Sequence, residues 1–384
     1  MVIQPFTIDI PQAVLDDLSD RLARTRWPDE VDGASWDYGS DRTYMRALVD
    51  HWRTRFDWRA QETALNGFAQ FRADVDGVGL HFIHERGRGP APLPLLLTHG
   101  WPDSFIRMRK IIPLLTDPGR HGGDPADAFD VVAPSMPGYG FSDRPTKPGV
   151  ARDRIADLFA ALMTRVLGYE RFAAHGGDWG SCVTEQLAIH HAASLAGIHL
   201  TDVPNWHLST IKADDLSDDE RAYWEAGQRW QREEGAYALI QGTKPQTLAY
   251  GLTDSPVGLA AWLVEKFRSW SDCDGDVERR FSKDELLTHI TLYWVTNTIN
   301  SANRLYYEAR RHPSRDGAGR SAVPAGVAIS PKDLLLAPRV FAERFFDVRR
   351  WTEMPRGGHF AAWEEPELLA EDIRAFFRPL RSEA

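Results

Sequence analysis

The sequence predicts an α/β fold with a mostly parallel central sheet, a helical insert and an N-terminal wrapping segment. Three observations carry this reading. Short continuous apolar runs alternate with helical patterns from residue 71 onward, as in a sheet buried on both faces. One such run, Leu167 to Ala174, opens into a glycine-rich turn and then a helical pattern through Cys182, Val183, Gln186, Leu187 and Ile189. Between about 203 and 315 the strand pattern disappears and a stretch rich in helix signals, Trp and Tyr takes its place.

Residues 1 to about 75 do not read as a sheet-forming unit. Pro11 to Leu22 is an amphipathic helix with proline near its start. Arg26-Trp27-Pro28-Asp29-Glu30 breaks it, and a second helix runs through Tyr44, Leu48, Val49 and Trp52. This segment is expected to wrap over another domain rather than fold alone. From Phe71 the pattern changes. Phe71 to Val75 and Val78 to His84 flank Asp76-Gly77, a hairpin signal. Pro94 to Thr98 and Asp130 to Pro134 are buried-strand runs, and Ile155 to Leu167 is a helix between strands. After the insert, Pro313 to Arg320 is a polar connector, Ala325 to Ile329 resumes the sheet, and an acidic amphipathic helix runs from Pro366 to about Phe377. The expected division is 1–75, 76–202, 203–315 and 316–384.

Composition bounds the function. With 384 residues, 43% of them hydrophobic and 26% charged, the chain is a soluble globular type with one large domain carrying inserts, or two domains. A formal net charge of −10 argues against nucleic acid or an anionic membrane as partner. The two cysteines, Cys182 and Cys273, lie far apart without metal-type spacing and are expected to be unpaired in a reducing compartment. No apolar run approaches the roughly 18 residues that cross a bilayer, and the first residues lack a signal-peptide pattern. A homodimer is the base-rate expectation for assembly.

The chemistry centres on His175-Gly176-Gly177-Asp178-Trp179-Gly180-Ser181. Small residues on both sides let the backbone turn sharply and lift the central side chain clear of the sheet. Aspartate stands where such turns usually carry serine. A carboxylate is already ionised near neutral pH, so it suits attack on a saturated carbon to form an ester. Opening an epoxide and displacing a halide both fit; an ordinary loop that contains Asp is the bland alternative. Upstream, a buried strand runs into His99-Gly100-Trp101-Pro102. The backbone N–H of Trp101, with that of Trp179 directly after the aspartate, would form a pair of oxyanion donors. Late in the chain, Gly357-Gly358-His359-Phe360 offers a histidine on a loop that glycines allow to approach closely.

Together these motifs resemble the epoxide hydrolases of the microsomal type, within the α/β-hydrolase superfamily. The matching residues are His99-Gly100-Trp101-Pro102, Gly177-Asp178-Trp179-Gly180 and Gly357 to Ala362. Arg24 to Pro28 resembles the family's N-terminal domain, and Thr253 to Ala261 its cap. The resemblance implies an α/β-hydrolase fold with a helical cap. It implies Asp178 as nucleophile and His359 as general base. The family's acid lies in a Pro-x-acid pattern, here Ser330-Pro331-Lys332-Asp333-Leu334, which points to Asp333; many relatives have phenylalanine before that proline. Asp347 and Glu353 are the alternatives, and both fall in strand-like stretches. Two cap tyrosines are implied: Tyr237, four residues before Gln241, and Tyr306, with Tyr307 as its neighbouring rival. Tyr250 and Tyr293 read as packing residues.

Asp103 stands where relatives often have glycine; it would shape the pocket mouth or cap a helix beginning near Ser104. The reaction implied takes a small-molecule epoxide, bulky or aryl if the Trp residues line the pocket, and water, and yields a vicinal diol with no metal or organic cofactor. Membrane-bound relatives carry an anchor helix, whereas this sequence starts directly at the N-terminal domain, which implies a soluble, cytoplasmic protein. The nearest rival is a haloalkane dehalogenase, which uses an Asp nucleophile followed by Trp and needs halide-binding N–H donors, a part open to Trp101. A binding protein that has kept the fold without the activity is a third reading, and it should lack at least one member of the constellation.

Overall fold

The computed structural model describes residues 2–312 and 319–383. Among them, nine strands join one sheet: β1 (Ile3–Pro5), β2 (Gln70–Val75), β3 (Val78–Glu85), β4 (Leu93–Thr98), β5 (Phe129–Pro134), β6 (Phe172–Gly176), β7 (Leu195–Leu200), β8 (Pro324–Ile329) and β9 (Asp347–Glu353). Their order is β1-β2-β3-β5-β4-β6-β7-β8-β9. The pairs from β1 to β5 in that order are antiparallel; from β5 across to β9 all are parallel. This is the α/β-hydrolase architecture, and its parallel half explains the continuous apolar runs. Leu95, Leu96 and Leu97 of β4 are fully buried because helices cover both faces.

Two expectations need correction. Residues 1–75 do contribute to the sheet beyond the hairpin strand: Ile3–Pro5 pairs with Phe71–Ala73 at the edge. All three residues are exposed, so the strand is held by backbone pairing and leaves no hydrophobic pattern to read. Pro5 is tolerated there because an edge strand need not donate on its outer side. The strand read from Leu167 starts later, at Phe172, since Gly168 adopts a left-handed φ of 77° and closes the preceding helix. The hairpin turn is as expected, with φ of 52° at Asp76 and 80° at Gly77.

The first three helices are α1 (Gln12–Ala23), α2 (Arg42–Thr54) and α3 (Trp58–Leu65); α4 (Ile111–Thr116), α5 (Arg152–Ala161) and α6 (Trp179–His190) connect strands. Between β7 and β8 lies an all-helical insert: α7 (Asp218–Glu233), α8 (Ala236–Gln241), α9 (Pro245–Asp254), α10 (Pro256–Ser269), α11 (Lys283–Thr296) and α12 (Ile299–Arg311). The N-terminal helices rest on it. α1 packs on α10, α2 on α10 and α11, and α3 on α11, while Arg21 reaches Asp254 at 2.8 Å and Ser40 Oγ donates to the Ala261 carbonyl. Residues 313–318 of the polar connector lie outside the described residues. The chain closes with α13 (Arg339–Ala342), α14 (Ala361–Glu364) and α15 (Pro366–Phe377). Asp347 and Glu353 are the two ends of β9. Cys182 and Cys273 are buried and unpaired. Among the described residues no helix is long and apolar enough to cross a membrane.

Candidate active site

The site forms where β4, β6, β7 and β8 end, the usual crevice of a parallel sheet. β6 runs into Asp178, which adopts φ 58° and ψ −126° at the entry to α6. Such a conformation is strained for a residue with a side chain and persists only when its surroundings enforce it. They do so here. Asp178 N–H donates to Asp202 Oδ1 at 2.8 Å, and Ser181 Oγ donates to the same oxygen at 2.7 Å. Gly180 is required by packing, since a Cβ there would lie 2.1 Å from the Thr98 carbonyl oxygen.

The loop after β4 approaches from the other side. Trp101 N–H donates to Asp178 Oδ1 at 2.7 Å. A Cβ on Gly100 would fall 2.3 Å from that oxygen, so only glycine permits the approach. Trp179 is the first residue of α6, where backbone N–H groups have no intrahelical acceptor. His99 is buried; its Nδ1 lies 3.0 Å from the Gly100 carbonyl and its Nε2 accepts from Met136 N–H at 3.1 Å, which braces the loop.

The loop between β9 and α14 brings in His359. Its Nδ1 is 2.7 Å from Oδ1 of Asp333, which lies just past β8. Its Nε2 lies 3.4 Å from Asp178 Oδ2, an ion-pair separation without hydrogen-bond alignment. All three side chains are nearly buried. Burial works against the His359 imidazolium, but the charge of Asp333 and then the contact with Asp178 overcome it and raise the ring to about 10. Burial, reinforced by the Asp333 charge, lifts the Asp202 carboxyl to about 7.

Tyr237 (α8) and Tyr306 (α12) face each other over this array, with ring centres 5.8 Å apart. Tyr237 stacks on Trp101 at 4.9 Å and 9°, and Tyr306 meets Trp179 edge-on at 5.0 Å. Burial raises both phenols well above their ordinary range, and the Asp178 charge adds to the effect in each. Both therefore remain O–H donors. Tyr307, the neighbouring rival, instead stacks under the Arg311 guanidinium at 3.5 Å. Tyr293 is a buried packing residue whose hydroxyl donates to the Asp103 carbonyl, whereas Tyr250 is exposed.

Asp103 does not shape a pocket mouth. It is 1% exposed and pairs with Arg107 at 2.8 Å. Its Oδ1 accepts from Ser104 N–H, while the cap on the following turn is Ser104 itself, whose Oγ accepts from Ile106 N–H. A polar residue at a loop start reads as solvent-facing from sequence; here burial turned it toward a cation. Sequence reading also passed over Asp202, two residues beyond β7, and Asn303, whose Oδ1 accepts from the Trp101 indole at 3.1 Å. A carboxylate directly after a buried strand was the available signal for Asp202; Asn303 had none.

Comparison with known proteins shows the family. The family model described as epoxide hydrolase N terminus matches residues 3–108, and that described as alpha/beta hydrolase fold matches residues 94–366. A candidate epoxide hydrolase of Stigmatella aurantiaca is 46% identical over 381 residues, which covers 99% of this chain and 86% of that relative. Epoxide hydrolase 1 of Sus scrofa is 38% identical over 97% of this chain and 88% of its own length. The solved Aspergillus niger epoxide hydrolase superposes with a TM-score of 0.86 at 28% identity, covering 99% of this chain and 97% of that one. The chain belongs to the epoxide hydrolases of the microsomal type, enzymes of the α/β-hydrolase fold whose substrates are an epoxide and water.

Proposed function

We propose that the enzyme converts its epoxide to a vicinal diol in two steps through an ester on Asp178. The observation that carries this is the division of labour around one carboxylate. Oδ1 is gripped by the Trp101 N–H at 2.7 Å, Oδ2 faces His359 Nε2 at 3.4 Å, and two protonated tyrosines stand above. In the first step a carboxylate oxygen of Asp178 bonds to a ring carbon from the side opposite the ring oxygen. The C–O bond of the ring breaks, and Tyr237 and Tyr306 hydrogen-bond the departing oxygen and supply its proton. In the second step His359, held by Asp333, takes a proton from water as that water attacks the ester carbonyl carbon. The N–H groups of Trp101 and Trp179 hold the oxyanion until it collapses. The bond between the acyl carbon and the product oxygen breaks, that oxygen takes the proton of the new Asp178 carboxyl, and His359 supplies the proton that restores the tyrosine, which leaves diol and the Asp178 carboxylate. The helical insert acts as the cap that carries the tyrosines.

Halide displacement is disfavoured by a specific contact: the Trp101 indole N–H, the donor that reading needs, is engaged by buried Asn303. Trp101, Trp270, Tyr237 and Tyr306 assemble an aromatic wall with ring centres 4.9 to 6.1 Å apart, which suits bulky or aryl epoxides. The test is a single turnover in oxygen-18 water. Label should enter the Asp178 carboxylate first and reach diol only on later turnovers. Label in first-turnover diol would rule the ester out, and halide release without diol formation would favour the dehalogenase reading.

A further inference from the structure

The loop that carries His359 is held by groups outside the array described above. His359 N–H donates to the Trp270 carbonyl at 2.8 Å, and its own carbonyl accepts from Arg107 Nη2 at 2.8 Å. The two flanking peptide N–H groups both go to one side chain. Glu364 Oε1 accepts from Phe360 N–H at 2.9 Å, and Oε2 from Gly358 N–H at 3.1 Å. Oε2 also accepts from Asp272 N–H at 2.8 Å. Trp270 and Asp272 lie between α10 and α11, so this carboxylate joins the helical insert to the histidine loop. The joint has no slack: a Cβ on Gly358 would lie 2.6 Å from the Trp270 carbonyl oxygen.

We infer that Glu364 is a positioning residue for the hydrolytic half-reaction: by gathering the N–H groups of Gly358, Phe360 and Asp272 it fixes the His359 ring against Asp333 and Asp178. This role rests on the ester mechanism proposed above. Three N–H donors converging on two oxygens call for an acceptor-only group: burial raises the Glu364 carboxyl to about 7, and the bonds from Asp272 and Phe360 N–H favour its ionised form against that burial. A glutamine of the same shape offers one acceptor oxygen, and its NH₂ must then face at least one backbone N–H. That donor is left unpaired and repelled in a buried site. The loop shifts, and the His359 ring shifts with it. Attack by Asp178 on the epoxide does not use His359, so the loss falls on the second step alone.

The experiment is rapid-quench kinetics of Glu364→Gln beside wild type, His359→Gln and Glu367→Gln, an exposed control on α15. Ester formation in Glu364→Gln should stay within about twofold of wild type, which also shows that the variant is folded. Ester hydrolysis should slow by at least about tenfold, the scale on which small misplacements act, so that ester accumulates. Glu367→Gln should match wild type. If Glu364→Gln fails to fold, Glu364→Asp, which retracts both oxygens by one methylene, should show the same split. Ester trapped in His359→Gln alongside wild-type hydrolysis in the Glu364 variant would overturn this role alone, as would an equal fall of both steps. No ester in His359→Gln would overturn the ester mechanism itself, and this role with it.

Discussion

Replacing Asp178 with asparagine isolates how the two half-reactions are coupled through His359. In the free enzyme the imidazole sits between two carboxylates, and despite its burial it is held up at about 10. It is therefore protonated at neutral pH and unable to take a proton from water. Ester formation makes Asp178 neutral. The attraction lost can be worked from the 3.4 Å separation of Nε2 and Oδ2. Two unit charges at that distance, with an effective dielectric of about 20, interact by about 5 kcal/mol. At about 1.4 kcal/mol per pK unit, the ring falls by roughly three to four units, into the neutral range. The first step thus creates the base that the second step needs.

Asp178→Asn reproduces the uncharged ester in shape without blocking the pocket. The assay is a pH titration of the His359 ring by NMR in protein carrying ¹⁵N-histidine, with His359→Gln used to assign the signal. Wild type should titrate near 10, and Asp178→Asn lower by about three units or more. In wild-type turnover, ester hydrolysis should accelerate as pH rises through the neutral range, because only neutral His359 is a base, and ester should accumulate below it. A His359 that titrates within about one unit of wild type in Asp178→Asn would refute the coupling. So would an ester-hydrolysis rate that is flat across that range.

Tyr306→Phe and Tyr237→Phe should each slow ester formation by about 10²–10³-fold, the usual cost of losing one donor to a developing oxyanion. Tyr307→Phe, which keeps the ring under Arg311, should change it little; pre-steady-state kinetics of the three variants decide between the neighbouring tyrosines. Gly100→Ala places a methyl 2.3 Å from Asp178 Oδ1 and 2.4 Å from its Cβ; it should abolish ester formation and lower stability in urea unfolding by about 1–3 kcal/mol, the usual cost of overpacking. Asp103→Asn leaves buried Arg107 without its counter-charge and should cost about 3–5 kcal/mol of stability in urea unfolding. Unchanged stability with altered substrate preference would instead return Asp103 to the pocket.

What could be read from the sequence was local. The turn at Asp178 announces itself through contiguous glycines, because the conformation it needs is set by immediate neighbours. The runs at β4, β5 and β8 are legible because burial on both faces removes polar residues altogether. Asp333 was reachable only through the family's Pro-x-acid pattern, and His359 through its paired glycines and its late place in the chain. The structure places the His359 ring 2.7 Å from Asp333 on one side and 3.4 Å from Asp178 on the other. What stayed hidden depends on distant contacts. β1 has no buried residue to mark it. Asp103 reads as a pocket-mouth or helix-capping acid until Arg107 is seen to be buried beside it. Glu364 reads as an ordinary acid just ahead of a helix, since nothing local says that its oxygens meet Asp272, 92 residues away.

That pattern follows from how the site is built. Asp178 and His359 sit on tight turns, and a tight turn must be encoded where it occurs. The groups that hold those turns in place are acceptors for backbone N–H, and a backbone N–H belongs to every residue except proline. Such a partner leaves no side-chain signature at the other end of the bond. Asp202, which accepts from Asp178 N–H, and Glu364, which accepts from Gly358 and Phe360, are both of this kind. In an enzyme whose two steps share one carboxylate and one imidazole, these supports set the relative placement of the pair. A substitution at Glu364, behind the imidazole, should separate the two steps in time, whereas one at Asp202, behind the carboxylate used in both, should slow them together.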